Sequence, residues 1–179
     1  MAKPLELNWV PAGAGRLALA HRPGYTELHR LPQLGVTHVV TLLSENEQAP
    51  RLGQRVKSLG LRWTWLPLNN GRYPRGEAQE LLATALPVLS SDLDAGDAIL
   101  IHCAAGIHRT GMLAYGLLRW RGLGPAEALD LIGRMRAHTR AGMLPRHIRW
   151  GEDILAGRPA PPPEAEDDLP EDEGQSDDA

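Results

Sequence analysis

The chain has 179 residues, with one cysteine, no phenylalanine and five tryptophans. A single cysteine excludes an internal disulfide and a cysteine-based zinc or iron–sulfur centre. No apolar run reaches the roughly 18 residues that a membrane span requires. We therefore expect one domain with a buried core, located in the cytoplasm, without a membrane partner.

The net charge of −3 combines a basic body with an acidic end. Residues 159–179 carry nine acidic and no basic side chains, so residues 1–158 hold 19 Lys and Arg against 13 Asp and Glu. The proline-rich acidic segment lacks an apolar face to offset its ordering entropy. We predict a folded domain over residues 1–157 and a disordered tail over residues 158–179, which either keeps the protein soluble or is an arm that binds a partner or shields the basic body.

The body alternates between patterns typical of strands and of helices. In chain order we predict a strand pair (LNWVPA, RLALAH), a helix (YTELHRLPQLG), a strand (THVVTLL), a helix (APRLGQRVKSLG), a strand (LRWTWLPL), a helix (RGEAQELLATALPVLSSDL), a strand (DAILIH) and helices over about 109–120, 125–137 and 145–155. This alternation predicts an α/β fold, with a central, mainly parallel sheet of about five strands flanked by helices.

Two finer expectations concern the core. The tryptophans take the place in the core that phenylalanine usually fills. The third helix buries one face formed by Ala78, Leu81, Leu82, Ala85 and Leu89, and Pro87 kinks it.

The only cysteine, Cys103, directly follows the apolar strand DAILIH. In parallel sheets, ligands bind beyond the carboxyl ends of the strands, which is where this residue falls. The stretch AAGIH then leads from Cys103 to Arg109 at the start of a helix. Backbone N–H groups converge at such a turn, and the helix dipole adds positive charge. The loop therefore predicts an anion site.

Each residue type in the loop suits phosphate chemistry. Gly106 supplies the conformational freedom that a tight turn needs, and the small Ala104 and Ala105 leave the backbone amides accessible. Arg109 can donate two parallel hydrogen bonds to two phosphate oxygens. The same positive field favours the thiolate form of Cys103, so a nucleophile is a better interpretation than a small buried apolar residue.

Three neighbouring residues have open roles. Thr110 is either a hydroxyl that hydrogen-bonds the thiolate or an ordinary residue of the first helical turn. His102 either supports the loop or is a buried, hydrogen-bonded core residue. His108 either contacts substrate or lies at the surface.

The stretch HCAAGIHRTG closely resembles the active-site motif of the cysteine-dependent protein tyrosine and dual-specificity phosphatases, H-C-x-x-G-x-x-R-[ST]-G. The order of strands and helices over about residues 7–155 also resembles the compact dual-specificity branch. The resemblance implies that Cys103 attacks phosphorus and forms a phosphocysteine. Arg109 and the amides of Ala104, Ala105, Gly106, Ile107, His108 and Arg109 then bind the phosphate oxygens. It implies no metal and no cofactor.

The general acid departs from the family pattern. The family places an aspartate on the loop about thirty residues before the cysteine, which is LPLNNGRYPRG here, where Asn69 and Asn70 stand. No Asp or Glu occurs from Gln48 to Gly76. Since an amide cannot deliver a proton, the candidates are Glu77, which is otherwise a favourable helix N-terminal residue, and His108.

We predict a monomeric phosphatase whose partner is a phosphorylated protein or small molecule, without specific nucleic-acid binding. Phosphotyrosine or dual-specificity activity is the first expectation. The alternatives are an atypical phosphatase acting on inositol pyrophosphates or other small phosphorylated substrates, a phosphate-binding module without turnover, and rhodanese-like sulfur transfer. Tyr73, Arg72 and Arg75 are expected either to border the mouth or to be solvated. The spacing of Arg134, Arg136, Arg140 and Arg146 does not assign them to one face.

Overall fold

The computed structural model describes residues 4–163, which form a five-stranded sheet covered by helices on both faces. The strands are β1 (Val10–Ala12), β2 (Gly15–Ala20), β3 (His38–Thr41), β4 (Arg62–Trp65) and β5 (Ala98–His102). The helices are α1 (Tyr25–Arg30), α2 (Ala49–Ser58), α3 (Glu77–Asp94), α4 (His108–Trp120), α5 (Pro125–Met135), α6 (Ala137–Gly142) and α7 (Pro145–Ala156). The predicted α/β class is confirmed.

The sheet places β5 at its centre, in the order β1-β2-β5-β3-β4. Strand β1 is antiparallel to β2, and the other three pairings are parallel. All five residues of β5 are buried, which explains why DAILIH is apolar throughout. The loop after β5 therefore begins in the middle of the carboxyl edge of the sheet.

Each face of the sheet has its own core, because successive strand residues point to opposite sides. One core joins alternate residues of β2, β3 and β5 to the long helices, and it includes Leu17, Leu19, Val40, Ile99, Ile101, Leu86, Leu113 and Trp150. The other core joins the intervening residues to α1 and α2, and it includes Ala18, Ala20, Val39, Leu100, Leu28, Leu52 and Val56.

Helix α4 is the central helix of the first core, since every residue from Arg109 to Leu118 is buried. It packs against α7 where two glycines allow a close approach. A Cβ on Gly116 would clash with the indole of Trp150, and one on Gly151 would lie within 3 Å of the Tyr115 ring. These contacts hold the start of α4 in place behind the loop.

Three details differ from the sequence-based expectations. Trp150 is fully buried, whereas Trp120 is 41% exposed, so an indole replaces phenylalanine in the core only in part. On α3, Leu81 was expected on the buried face but is 37% exposed, whereas Leu86 is buried. The apolar stripe that faces the core instead runs through Leu82, Leu86 and Leu89. The chain after α5 also forms a separate short helix, α6, where the sequence predicts only the end of one helix.

The first residues of the predicted tail lie against the domain as far as the structure describes them. The Arg158 guanidinium donates to Asp153 at 2.6 Å, and Pro161 is buried with its carbonyl accepting from Arg75. Residues 164–179, on which most of the tail prediction rests, lie outside the described residues. Between residues 4 and 163, no helix is both long enough and apolar enough to cross a bilayer.

We predict that Gly116→Ala destabilises the protein by about 1 to 3 kcal/mol, because the added methyl group must displace the Trp150 indole in a packed core. Urea titration would measure this change in the free energy of unfolding. Gly133→Ala is the matched control: its Cβ would lie 3.6 Å from the nearest atom, so the greater helix propensity of alanine should leave stability equal or higher. Equal effects of both substitutions would contradict the packing account.

Candidate active site

Cys103 begins a tight loop that curls from β5 into α4. Gly106 makes the curl possible, with a φ of +70°. A Cβ at this position would also clash with the backbone of Ala20, so the loop needs glycine both for its conformation and for its contact with β2. Its N–H donates to the sulfur of Cys103 at 3.2 Å. The curl thus encloses the thiol, which is only 3% exposed.

The N-terminus of α4 opens into the same curl. Helix α4 begins at His108 without a side-chain cap, so its first N–H groups have no partner within the helix. Such groups, together with the helix dipole, attract an anion. The loop residues predicted to bind phosphate therefore form one continuous turn, which comprises Ala104, Ala105, Gly106, Ile107, His108 and Arg109.

Arg109 is 7% exposed and is held by two loops that follow neighbouring strands. Its Nη1 donates to Glu47 Oε2 at 2.7 Å and to the Leu68 carbonyl at 2.9 Å, while Nη2 donates to Glu47 Oε1 at 2.9 Å. A longer bond joins Nη1 to the Leu42 carbonyl at 3.3 Å. Of the five guanidinium N–H groups, the one on Nε and one on Nη2 make no hydrogen bond to an oxygen of residues 4–163, and they form one edge. Arg109 also interacts with the Cys103 sulfur through a hydrogen bond that raises the pKa of Arg109.

Glu47 and Arg109 stabilise each other's charged forms. Burial alone would raise the pKa of Glu47, but the hydrogen bonds from Arg109 and Ser44 outweigh it and lower that pKa. Burial likewise acts to lower the pKa of Arg109, but the hydrogen bonds to Glu47 and the charge of Cys103 raise it. Arg109 is thus a fixed cation beside the thiol.

Glu47 is not among the residues predicted from the sequence, although its position carries a usable signal. Glu47 follows β3, the strand beside β5, so the carboxyl ends of both strands lie at the same edge of the sheet. Its carboxylate is oriented by the N–H and the hydroxyl of Ser44, at 2.8 and 3.0 Å. An acidic residue three positions after a serine, at that edge, is the pattern to look for.

His102 supports the cysteine from within the sheet. Its Nδ1–H donates to the carbonyl of Cys103 at 3.2 Å, and its Nε2 accepts from the Thr41 hydroxyl at 2.8 Å. Thr41 in turn accepts from Nε1 of Trp63 at 2.8 Å. Burial lowers the pKa of His102 to about 4, so the ring is neutral at pH 7. His102 is therefore both a satisfied core residue and a support for the loop.

The loop is also held from the α5–α6 junction. Nη1 of Arg136 donates to the carbonyl of Gly106 at 3.0 Å, and the Thr139 hydroxyl donates to the same oxygen. Burial lowers the pKa of Arg136, while the charge of Cys103 acts in the opposite direction. The sequence does not single out Arg136 because α6, which orients this junction, is not predicted.

The loop over residues 66–76 packs over the start of α4. A Cβ on Gly71 would clash with His108, and the Gly71 carbonyl accepts from Nε2 of His147 at 2.8 Å and from Arg146 at 3.1 Å. Tyr73 neither borders the mouth nor is solvated, the two alternatives that the sequence left open: it is 3% exposed, and its hydroxyl donates to Asp153 at 3.0 Å. This loop is thereby fastened to α7.

The structure separates the candidates for the general acid. Asn70 is exposed, with its side-chain oxygen accepting from the N–H of Arg72 at 3.0 Å. Glu77 is exposed at the first position of α3. His108 is half-buried at the start of α4, with its ring 5.3 Å from that of His147. Only His108 belongs to the loop that surrounds the thiol.

Thr110 is fully buried in the first turn of α4. Its hydroxyl has no hydrogen-bond partner among residues 4–163. A buried hydroxyl without a hydrogen-bond partner destabilises the fold. A bound anion or a negatively charged sulfur in the loop would accept the missing hydrogen bond.

The geometry defines a class of enzyme: a cysteine and an arginine close a tight loop between a buried strand and a helix, the arrangement expected of cysteine-dependent phosphatases. A family model described as "PTP-SAK: Swiss Army Knife protein, DSP-PTPase phosphatase domain" matches residues 4–151. The chain therefore belongs to this family of dual-specificity-type phosphatases, and the predicted resemblance is confirmed.

Solved structures show the same fold. Kinase-associated phosphatase with its catalytic cysteine replaced by serine is 16% identical, with a TM-score of 0.72, covering 88% of this chain and 97% of that one. PTPMT1 in complex with PI(5)P is 18% identical, with a TM-score of 0.65 and coverage of 84% and 98%. The core catalytic domain of the PP-IP phosphatase SIW14 from S. cerevisiae is 20% identical, with a TM-score of 0.61 and coverage of 87% and 93%.

We predict that Glu47→Gln lowers kcat by about 10- to 100-fold, because Arg109 loses the charged partner that orients its free edge. Steady-state kinetics with an aryl phosphate would measure this loss. Glu45→Gln, at an exposed position of the same loop, is the matched control and should retain the wild-type kcat. A change in KM alone, or equal losses in both variants, would contradict a positioning role for Glu47.

We predict that stability falls as the pH drops from 6.5 towards 4. Burial lowers the pKa of His102 and of His147 to about 4, whereas both take up protons near pH 6.5 in the unfolded chain. The unfolded state then binds more protons, so the free energy of unfolding falls by up to about 1.4 kcal/mol per pH unit for each histidine.

Urea titrations at pH 7, 6 and 5 would measure this dependence. His147→Gln keeps a donor for the Gly71 carbonyl and removes one of the buried histidines whose pKa is lowered, so its slope should be clearly shallower than that of the wild type. An unchanged slope would show that burial of His147 does not contribute to it.

Proposed function

We propose that this phosphatase hydrolyses phosphate monoesters through a phosphocysteine intermediate, with Cys103 as the nucleophile. The observation that carries the proposal is the free edge of Arg109, which Glu47 fixes beside the sulfur. Residues 1–157 form the catalytic domain in this proposal, and the acidic tail over residues 158–179 is accessory.

The proposed reaction has two steps, formation and hydrolysis of the phosphocysteine. The Cys103 thiolate attacks phosphorus, the Sγ–P bond forms, and the ester P–O bond breaks opposite to it. The departing alkoxide takes a proton from a general acid. Water then attacks phosphorus and gives a proton to the group that acted as the acid, the Sγ–P bond breaks, and phosphate leaves with the thiolate restored. Arg109 and the N–H groups of residues 104–109 bind the three equatorial oxygens in both transition states.

Two further residues assist these steps. The buried Thr110 hydroxyl stabilises the sulfur anion as it departs from the phosphocysteine. We assign the proton transfer to His108, because it belongs to the loop around the sulfur and packs under Gly71, where the family carries its acidic loop. Glu77 is the alternative acid, and Asn70 contributes no proton.

The first substrate class we propose is phosphotyrosine in proteins, or protein phosphate esters more generally. The variable loop positions are Ala, Ala, Ile and His, without Lys or Arg, which suits an aryl phosphate. The alternative is a small phosphorylated molecule, since one neighbour is described as a PP-IP phosphatase and another was solved with PI(5)P. We propose a monomer acting in the cytoplasm, where the single thiol stays reduced.

The pH dependence of kcat/KM for an aryl phosphate tests the mechanism and the acid together. We predict a bell-shaped profile for the wild type, because a thiolate and a protonated acid are both required. The falling limb should disappear in His108→Ala and persist in Glu77→Gln. The reverse result would assign the acid to Glu77.

Cys103→Ser serves as the reference for the nucleophile. It should bind phosphate and yet reduce kcat by at least about 1,000-fold, because a serine hydroxyl is not ionised at neutral pH. Unchanged turnover in Cys103→Ser would overturn the phosphocysteine mechanism. Tight binding without phosphate release by the wild type would instead indicate a binding module.

A further inference from the structure

A pocket of about 230 Å³ lies beside the active-site loop, between the β2–α1 connection and the first two turns of α2. Pro23, Leu28 and Leu52 form its buried walls. Its charged lining consists of three arginines, Arg22, Arg51 and Arg55, and the lining contains no Asp or Glu. The pocket is therefore basic with an apolar floor.

The three arginines have no carboxylate partner among residues 4–163. Nη1 of Arg22 donates to the backbone carbonyl of Glu47 at 2.8 Å, which fixes the guanidinium and leaves its charge uncompensated. Arg55 stacks over the ring of Tyr25, with its Cζ 4.4 Å from the ring centroid. Guanidinium groups that are oriented and lack a counter-charge bind phosphate oxygens well.

The pocket is physically joined to the catalytic loop through two backbone segments. The N–H of Arg22 donates to the carbonyl of Ala104, at 2.9 Å, inside the loop that follows Cys103. Gln48, which lines the pocket, is the residue after Glu47, whose carboxylate holds Arg109. An anion in this pocket and a phosphate at Cys103 would thus occupy neighbouring sites.

Helix α2 adds to the positive potential. It has ten residues, begins at Ala49 beside the pocket and has no side-chain cap. Its first turn therefore brings the positive end of the helix dipole close to the pocket. The volume lies below the roughly 300–1,000 Å³ of pockets that enclose a drug-sized ligand, so it suits one charged group rather than a whole substrate.

We propose that this pocket, with Arg22, Arg51 and Arg55, is a second anion subsite that binds a phosphate of the substrate other than the one attacked by Cys103. The subsite deepens the proposed function and rests on it. It selects substrates with at least two phosphate monoesters, and the non-reacting phosphate supplies binding energy and orientation.

Binding to full-length Cys103→Ser protein tests the subsite without turnover, by isothermal titration calorimetry at about 0.15 M salt. The probes are two pairs: inositol 1,4,5-trisphosphate with inositol 1-phosphate, and a doubly with a singly phosphorylated peptide. The measured quantity is the preference within each pair, which is the Kd of the singly phosphorylated probe divided by that of its multiply phosphorylated partner. We expect a preference of 10-fold or more in at least one pair, and that pair identifies the source of the second phosphate.

Substitutions then locate the preference. Adding Arg51→Gln or Arg55→Gln should reduce it about 10-fold. Lys57→Gln removes the same charge from α2 outside the pocket lining and should leave the preference within twofold. No preference in either pair, a preference that survives both arginine substitutions, or an equal loss in Lys57→Gln would overturn the subsite. Failure of every probe to bind, the singly phosphorylated ones included, would instead overturn the proposed function at Cys103.

Discussion

The ion pair between Arg109 and Glu47 is the interaction on which the active site depends. It joins the helix after the central strand β5 to the loop after its neighbour β3, and it does so where little solvent screens the charges. Two of the guanidinium's edges are used by protein oxygens, so the remaining edge has one available orientation. An arginine that is oriented before the substrate arrives does not lose that freedom on binding.

The loop around the sulfur is rigid because three separate parts of the chain bind its backbone. His102 donates to the carbonyl of Cys103, Arg22 to that of Ala104, and Arg136 to that of Gly106. With the carbonyls bound from outside, the curl turns N–H groups inwards. Donors from the protein, of which the Arg136 guanidinium is the charged one, thus satisfy these carbonyls of the loop.

The loop over residues 66–76 contains no Asp or Glu and packs over the start of α4. Gly71 rests on His108 and binds His147, and Tyr73 anchors to α7. The loop therefore covers the start of α4 without contributing a carboxylate. With this arrangement, His108 rather than Asn70 is the candidate proton donor. The neighbouring basic pocket makes the β2–α1 connection the candidate determinant of substrate specificity.

The sequence by itself determined most of the secondary structure and the loop around Cys103, because both depend on local patterns of residues. The succession of strands and helices along the chain, a sheet of about five strands, the Cys103 to Arg109 loop and the need for glycine at position 106 follow from periodicity and from residues close together in the chain. Only the tertiary structure decided which distant residues complete the site, such as Glu47, 62 positions before Arg109, and His147, 76 positions after Gly71. It also showed that Tyr73 and Trp150 belong to the core, whereas Trp120 does not. The physical reason is that hydrophobic period and turn chemistry act over a few residues, whereas ion pairs and buried hydrogen bonds depend on how strands and helices pack.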